Sequence, residues 1–461
     1  MAPYYREDNY LIIQPGSERT LVSFGLHEYL KPPAFSVPTK VYVDSEDSTK
    51  FTSKSDDESL AIYPIKKGKV TNPDALNYLI KVIFNGVLRQ NPTILRNNIA
   101  LTIIQTSSRW SSLAIEKITS YAFEILQINA FTIVPSALCS MFAFGSFQNS
   151  CVIDIGYEKS EITPILDFQI VQAATVIIDK GGLTINNNLR KLLPRLNDEQ
   201  INALKESSIY EVLSNEDAAK SYFGVKGIND SLGNGGEGED EGVLDIAAIV
   251  TSEKSTREIL AEKEKEKKAK NRKDKDVKPK LNSELENNSF YDYNGNKIEV
   301  GKERFQGCTD LIDSITYSIY NSLSKIIDSK KRQECYDNLI IVGNTTKIPG
   351  FKEAILVSLN ANYHIGLEQT NEIDVPAFRN ESSFNTGGEG LNLSQVPQQI
   401  KSIKFPEYFS EWKKVGSEDA SFLGGQILSK QVFGHGNTGD LYINREDYLE
   451  KGPLEIWHIK M

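Results

Sequence analysis

The chain has 461 residues and a formal net charge of −10, with 39% hydrophobic and 25% charged residues. That length carries about three domains' worth of structure around a large core, and the acidic balance argues against a protein that coats DNA by neutralising phosphates. With 31 glycines and 17 prolines the chain is not of low complexity. Cys139, Cys151, Cys308 and Cys335 are scattered, which excludes a disulfide scaffold and a Cys-type zinc site. His27, His364, His435 and His458 are equally dispersed, so a His-based metal site is not expected. The first residues hold no apolar signal segment, and no apolar run approaches the ~18 residues of a membrane span. A soluble protein of a reducing compartment is the expectation.

Residues 10–26 hold two β-rich runs around the turn Gln14-Pro15-Gly16-Ser17, which predicts an opening hairpin. Residues 44–59 are polar and predict a mobile surface loop. Apolar spacing after Pro73 predicts a helix over 73–90. A buried strand over 98–105, a helix over 114–127, a strand over 131–135 and an apolar helix over 138–144 follow. Cys151 to Gly156 and Glu161 to Leu166 then repeat the opening strand–turn–strand unit. Two such units, each followed by helices, predict an internally duplicated α/β protein.

The acidic, glycine-rich stretch 229–245 reads as disordered. Ser255-Thr256-Arg257-Glu258 is a capping-box pattern that opens a charged run to residue 280, expected to form a charged helix near 256–270. That run reads first as a solvated helix fraying into a linker, and second as a nuclear-import or nucleic-acid patch. Folded pattern resumes near Phe290 with a hairpin at Tyr293-Asn294-Gly295-Asn296. A helix over 309–326, a strand over 338–342, a Gly343 to Thr346 turn and a helix from Gly350 follow. Residues 366–400 read as a second disordered insertion, and a helix opens at Phe422.

Several stretches together resemble the actin family: Tyr63 to Asn72, Asp154-Ile155-Gly156, Gly343 to Gly350, Phe422 to Gly425 and Gly452-Pro453. The resemblance is collinear outside the two insertions and the 44–59 loop. Within the family the chain is most similar to the actin-related subunits of fungal SWI/SNF- and RSC-type chromatin remodellers, through Lys191 to Pro194, Gly301 to Cys308 and Phe409 to Lys414. The resemblance implies an actin-like ATPase fold with two duplicated lobes around a nucleotide cleft. Residues 1–36, 64–143 and 418–461 would form a subdomain 1-like unit, and 37–63 a subdomain 2-like unit. Residues 144–180 and 288–417 would be subdomain 3-like, and 181–287, with the insertion 229–287, subdomain 4-like.

An ATPase of this type clasps a triphosphate with two hairpins whose glycines let backbone N–H groups approach the phosphates. Carboxylates at the hairpin starts hold Mg²⁺ through water, and a polar side chain orients the attacking water. By the resemblance, the residual nucleotide site would comprise Gly16, Ser17, Asp154, Gly156, Gly181, Gly182, Gly343, Asn344 and Thr345. Asp154, Gly156 and the 343–346 stretch also read as plain turn residues. The chemistry is depleted: Gln14 replaces the first metal carboxylate, Glu18 faces the phosphates, and Tyr157-Glu158 replaces Asp-Gly. Ser136 and Glu161 stand at the two water-handling positions. No catalytic residue, no metal site and no required cofactor are therefore expected, with ATP binding weak or absent.

The resemblance also implies partners. These are actin-related protein 7 as a heterodimer partner, the helical segment that precedes the ATPase domain of the remodeller's catalytic subunit, and other remodeller subunits. Nucleosome contact would be only indirect, no membrane contact is expected, and the location would be the nucleus. The helix would lie in an apolar groove at positions matching Phe142, Phe144, Ile165, Phe168, Leu428 and Phe433, each of which also reads as interior packing. An active or filament-forming ATPase is the alternative, and a sugar kinase or heat-shock-type ATPase of the same duplicated fold a weaker one.

Overall fold

The computed structural model describes residues 5–26, 30–44, 47, 50–231, 280–364, 397–434 and 440–459. Two mixed sheets organise it. In the first, the strands run in the spatial order Ile443–Asn444, Ala130–Pro135, Ala100–Gln105, Tyr10–Pro15, Arg19–Phe24 and Phe35–Pro38. Tyr10–Pro15 is antiparallel to Arg19–Phe24 and parallel to Ala100–Gln105. The second sheet repeats this arrangement. Ser150–Ile155 is antiparallel to Ser160–Leu166 and parallel to Leu339–Val342, and Gln169–Ile170 and Val176–Ile178 pair with Ser160–Leu166. The duplication expected from the sequence is thus present as two equivalent hairpins, each beside a parallel strand.

Local chemistry accounts for the elements that position the hairpins. Helix Pro73–Gln90 starts where Asn72 accepts a hydrogen bond from the Ala75 N–H, with Pro73 at its first position. It buries Leu76, Leu79, Ile80, Phe84 and Val87 at helical spacing. Ala100–Gln105 and Leu339–Val342 are continuous apolar runs because both faces of their sheets are covered. Helix Ser136–Phe144 stops at Gly145, whose φ of 124° suits only glycine.

Three large apolar clusters form most of the core, beside a small one of Val41, Ala75 and Leu79. One lies under each sheet. The third contains Ile12, Ala100 and Val134 from the first sheet and Val152, Ile340 and Val342 from the second. Helices Ser136–Phe144 and Ala420–Gly434 run through it, and Gly424 lets them touch: a Cβ there would lie 1.6 Å from the Cys139 carbonyl oxygen. This shared cluster joins the lobes at their base, and the hairpin turns face each other across the cleft above it.

Four sequence expectations change. Residues 44–59 are not a featureless loop: Phe51–Thr52 pairs with Val41–Val43, and Glu58 ties back to Lys40 at 2.8 Å and to the Tyr42 hydroxyl. The first insertion is shorter than 229–287 at both ends. Helix Tyr222–Ser231 runs into it, and 282–286 is folded around the buried Arg304 guanidinium, which bonds Asn282, Leu285 and Glu286. The second insertion ends before 400, since Gln398 is bound by Gln333 and Ile400 is buried. The fourth change concerns the groove residues, described below. The capping box, the charged run and most of both insertions lie outside the described residues.

Candidate functional site

The two hairpin turns and the 343–345 turn line the cleft, and Gly181-Gly182 packs against the second hairpin turn. The structure gives most of them a backbone task. The Gly16 N–H donates to the Arg19 carbonyl and closes the first turn. The Gly182 N–H donates to the Gly156 carbonyl at 3.0 Å, and the Thr345 hydroxyl donates to the same oxygen at 2.9 Å. A Cβ on Gly181 would meet that oxygen at 2.5 Å, and one on Gly343 would meet the Ile155 carbonyl at 2.3 Å. These glycines are required for close backbone packing within the second lobe. Asn344 accepts a hydrogen bond from the Arg19 guanidinium at 3.2 Å, and Arg19 also grips Asp419 at 2.9 Å. Ser17 lines the cleft beside Gly16.

The centre of the site is a side chain that the sequence reading passed over. Asp154 and Glu161 face one another directly across the second hairpin. Two carboxylates in that relation repel and destabilise the strand pair. Lys159, from the turn between them, folds back so that its ammonium lies 2.8 Å from Glu161 and 3.4 Å from Asp154. The Lys159 and Glu161 side chains are only 9% and 8% exposed. Burial alone would push the Lys159 ammonium down, but the two carboxylates outweigh it and the net direction is up. Burial would likewise push the Glu161 carboxyl up. Lys159 and the Ser108 N–H and hydroxyl, at 3.0 and 2.7 Å, outweigh burial and draw it down. Asp154 shares the same single cation at longer range, and burial dominates there, so its carboxyl is raised. A clue to this cluster was present in the alternation Asp154, Glu158, Lys159, Glu161. Only the hairpin register shows that the carboxylates oppose and the lysine joins them.

The rest of the cleft is uneven. Where Gln14, Gly16, Ser17, Glu18, Asp154 and Lys159 meet, the cavity is about 110 Å³. Gln14 is tied to the Ser421 hydroxyl at 2.9 Å. Beyond Glu18 and Arg19 the cleft widens to about 560 Å³, lined by Tyr157, Lys205, Glu206, Thr345 and Lys347 among others. Burial raises the Glu18 carboxyl against the pull of Lys205 and Arg19. Burial also lowers the Lys205 ammonium, which sits 5.4 Å over the Tyr157 ring and donates to Asn186. Ser136, at the start of its helix, uses its carbonyl to accept from Ser140 and offers the cleft only a hydroxyl. The carboxylate nearest the opposing turn, Glu161, is saturated by Lys159 and Ser108. The arrangement therefore holds the Lys159 ammonium between two fixed carboxylates; Gln14, Gln105 and Gln172 line the cavities that Asp154 also lines, with Gln14 tied to Ser421 and Gln105 donating to the Ser107 carbonyl.

The six groove positions do not form one surface. Ile165 is fully buried, Phe433 packs among Tyr5, Tyr10 and Tyr442, and Phe144 is 4% exposed with its ring against Phe405. These three are core, because the segment around 403–412 and the N-terminal residues cover them. Phe142 and Leu428 are half-buried, and Phe168 is 46% exposed with a positive φ of 64°. The sequence reading missed the residues that lie over Phe144. Phe405 and Phe409 pack partly buried on the shared cluster, and Tyr408, its ring tilted against Phe409, is 72% exposed. Their signal was the aromatic spacing in Phe405 to Trp412, used earlier only as a mark of resemblance.

Comparison with known proteins fits this geometry. The family model for actin matches residues 7–458. The SWI/SNF and RSC complexes subunit arp9 of Schizosaccharomyces pombe is 29% identical, over 98% of this chain and 99% of its own length. Actin-related protein 7 of Arabidopsis thaliana is 22% identical, over 97% and 98%. The SWI/SNF and RSC complexes subunit arp42 of Schizosaccharomyces pombe is 29% identical, over 24% of this chain and 25% of its own length.

Proposed function

The chain belongs to the actin family, and from that premise we propose that it is a non-catalytic structural subunit of a nuclear chromatin-remodelling complex of the SWI/SNF and RSC type. The name of one full-length relative, the SWI/SNF and RSC complexes subunit arp9, supports the complex. The observation that carries the loss of catalysis is the Lys159 ammonium lodged between Asp154 and Glu161. In a working site of this fold, a carboxylate at the Asp154 position would face a hydrated Mg²⁺ and the phosphates. Here that carboxylate already faces a fixed cation on a stem that fills the space. Glu18 adds a carboxylate to the phosphate end, where like charge is repulsive. The residues present do not fit a magnesium–triphosphate group, and ATP is not required.

In this reading the chain pairs with actin-related protein 7, and the two dock on the helical segment preceding the remodeller's ATPase domain. Such a helix would seat apolar anchors against a groove. The surface here is a revised one: Phe142, Leu428, Phe405 and Phe409 at its floor, with Phe168 and Tyr408 as exposed aromatic flanks of the kind that concentrate binding energy. The test is co-purification of the full chain with actin-related protein 7 and that helical segment, with phosphate release from ATP measured on the same preparation. A stable ternary complex and background release are expected. Release abolished by Asp154→Asn would overturn the non-catalytic assignment, and failure to assemble would overturn the scaffold assignment.

A further inference from the structure

Resting on the non-catalytic reading above, we propose that the two lobes are strapped shut by the chain's own side chains, so that cleft closure is built into the fold and needs no bridging ligand. The observation is a row of polar contacts that cross from one lobe to the other along the mouth of the cleft.

The row begins at the first lobe's short hairpin, Ile65–Lys66 and Lys69–Val70. Its turn residues Lys67 and Gly68 have φ of 50° and 76°, the left-handed pair that a two-residue hairpin turn demands. Gly68 rests on the second lobe through Lys159, whose Cδ would lie 2.8 Å from a Cβ there, and on its own lobe through the Ser107 hydroxyl at 2.7 Å. The Lys67 N–H donates to the Glu158 carboxylate, from the second hairpin's turn, at 2.6 Å. The Lys67 ammonium reaches across to Asp179 at 3.2 Å. Arg109 of the first lobe meets the same Asp179 at 2.5 Å, and it donates to the Lys67 carbonyl at 3.0 Å as well. Asp179 is therefore held by two cations, Arg109 the stronger, and its carboxyl lies below the usual range. Ser108 grips Glu161 from the first lobe through its N–H and hydroxyl. Farther in, Arg19 of the first hairpin bonds Asn344 of the second lobe.

Each exposed pair alone is worth little. Their organisation distinguishes them: one carboxylate takes two cations, one hairpin tip supplies both a backbone donor and an ammonium, and at the buried end Lys159 fixes, within its own lobe, the Glu161 carboxylate that Ser108 grips from the other. Networks of this kind are worth more than their separate pairs. Because the lobes also share an apolar cluster at their base, opening would require the whole row to break together. The consequence is a scaffold with one fixed outline, which presents the same surface to partners whatever the nucleotide supply.

The experiment uses the full chain with cysteines introduced at Ser53 and Lys191, both exposed and on opposite sides of the cleft. All four native cysteines are buried, so spin labels attach at the new sites. Double electron–electron resonance then reads the distance between lobes. The parent should give a single narrow distribution, unchanged by magnesium–ATP. Asp179→Lys with Glu158→Ala should broaden it severalfold toward longer distances, without loss of circular dichroism, because Asp179 is partly exposed. Lys159→Met is the second variant and should broaden it further. Two outcomes overturn the strap: a parent distribution that narrows only on adding magnesium–ATP, or an Asp179→Lys/Glu158→Ala variant that keeps the parent's narrow one. Phosphate release from the same samples keeps the two readings apart. Narrowing without release overturns the strap alone, whereas release overturns the non-catalytic assignment.

Discussion

Replacing Lys159 by methionine removes the cation and keeps most of the stem. The variant leaves Glu161 and Asp154 facing one another with nothing between them. Glu161 is 8% exposed and cannot recover its hydration by a small movement. Its Ser108 donors remain, so it is not wholly unpaired. Removing one partner of a buried ion pair costs about 3–5 kcal/mol, and the retained Ser108 bonds put the expected loss toward the lower end of that range. Chemical denaturation followed at neutral pH by tryptophan fluorescence measures it. The double variant Lys159→Met/Glu161→Gln should recover much of the loss, since the opposing carboxylates are no longer both charged. The coupling between the two positions should therefore be large, as expected for groups in direct contact. The pH dependence has a definite sign. In the parent, Lys159 holds Glu161 below its ordinary value, so the stability this contributes is present above the unfolded pKa and is lost as pH falls through the folded one. In Lys159→Met burial acts without that cation and raises both carboxyls. The variant's deficit should then shrink between neutral pH and pH 5, as the orphaned pair takes up a proton in the folded state. A Lys159→Met chain as stable as the parent at pH 7, or one whose deficit grows on acidification, would refute the internal-cation reasoning.

Four further outcomes follow from the packing and the cleft. Phe144→Ala should cost about 3–5 kcal/mol of fold stability, because the ring is core against Phe405. By contrast Tyr408→Ala should leave the melting curve nearly unmoved while weakening capture of the partner helix by about 2 kcal/mol, read by isothermal calorimetry. Gly424→Ala, normally favourable within a helix, should destabilise by about 1–3 kcal/mol through overpacking, since its Cβ would collide with the Cys139 carbonyl; a higher melting temperature would show that the two helices can separate freely. Glu18→Gln should stabilise the chain only modestly above the raised folded pKa of Glu18, because the cleft wall desolvates that charge only in part and the side chain stays exposed to solvent. The advantage should fade as pH falls through that value and the parent carboxyl protonates, and scanning calorimetry across pH 4 to 8 reads it.

Elements whose cause is local could be read directly from the chain. Asn72, Pro73 and the apolar spacing that follows define the helix Pro73–Gln90 at both ends, and Cys151 to Ile155 is a strand by composition alone. Elements held by distant partners could not be read this way. Residues 282–286 look like linker because they are polar, yet five-donor satisfaction of one buried arginine, Arg304, orders them. Phe51–Thr52 is too short to carry a pattern and exists because Val41–Val43 offers an edge. The site divides in the same way. Departures from the family pattern are visible one residue at a time, as with Gln14, Ser136 and Glu161, so the ground for the proposed non-catalytic role is legible. What stands in their place depends on register. Asp154 and Glu161 are seven positions apart in the chain and become opposite only when the hairpin closes, which brings Lys159 between them. The groove failed for the complementary reason. Phe144, Ile165 and Phe433 match family positions, but burial depends on what covers them, and the segment carrying Phe405, Tyr408 and Phe409 arrives from about 260 residues farther along than Phe144. That displacement moves the proposed binding surface outward, from core rings to the exposed aromatics lying over them. The proposed partner binding can therefore diverge at the exposed Tyr408 without disturbing the packing that joins the lobes, whereas Phe405 and the buried Trp412 belong to that packing.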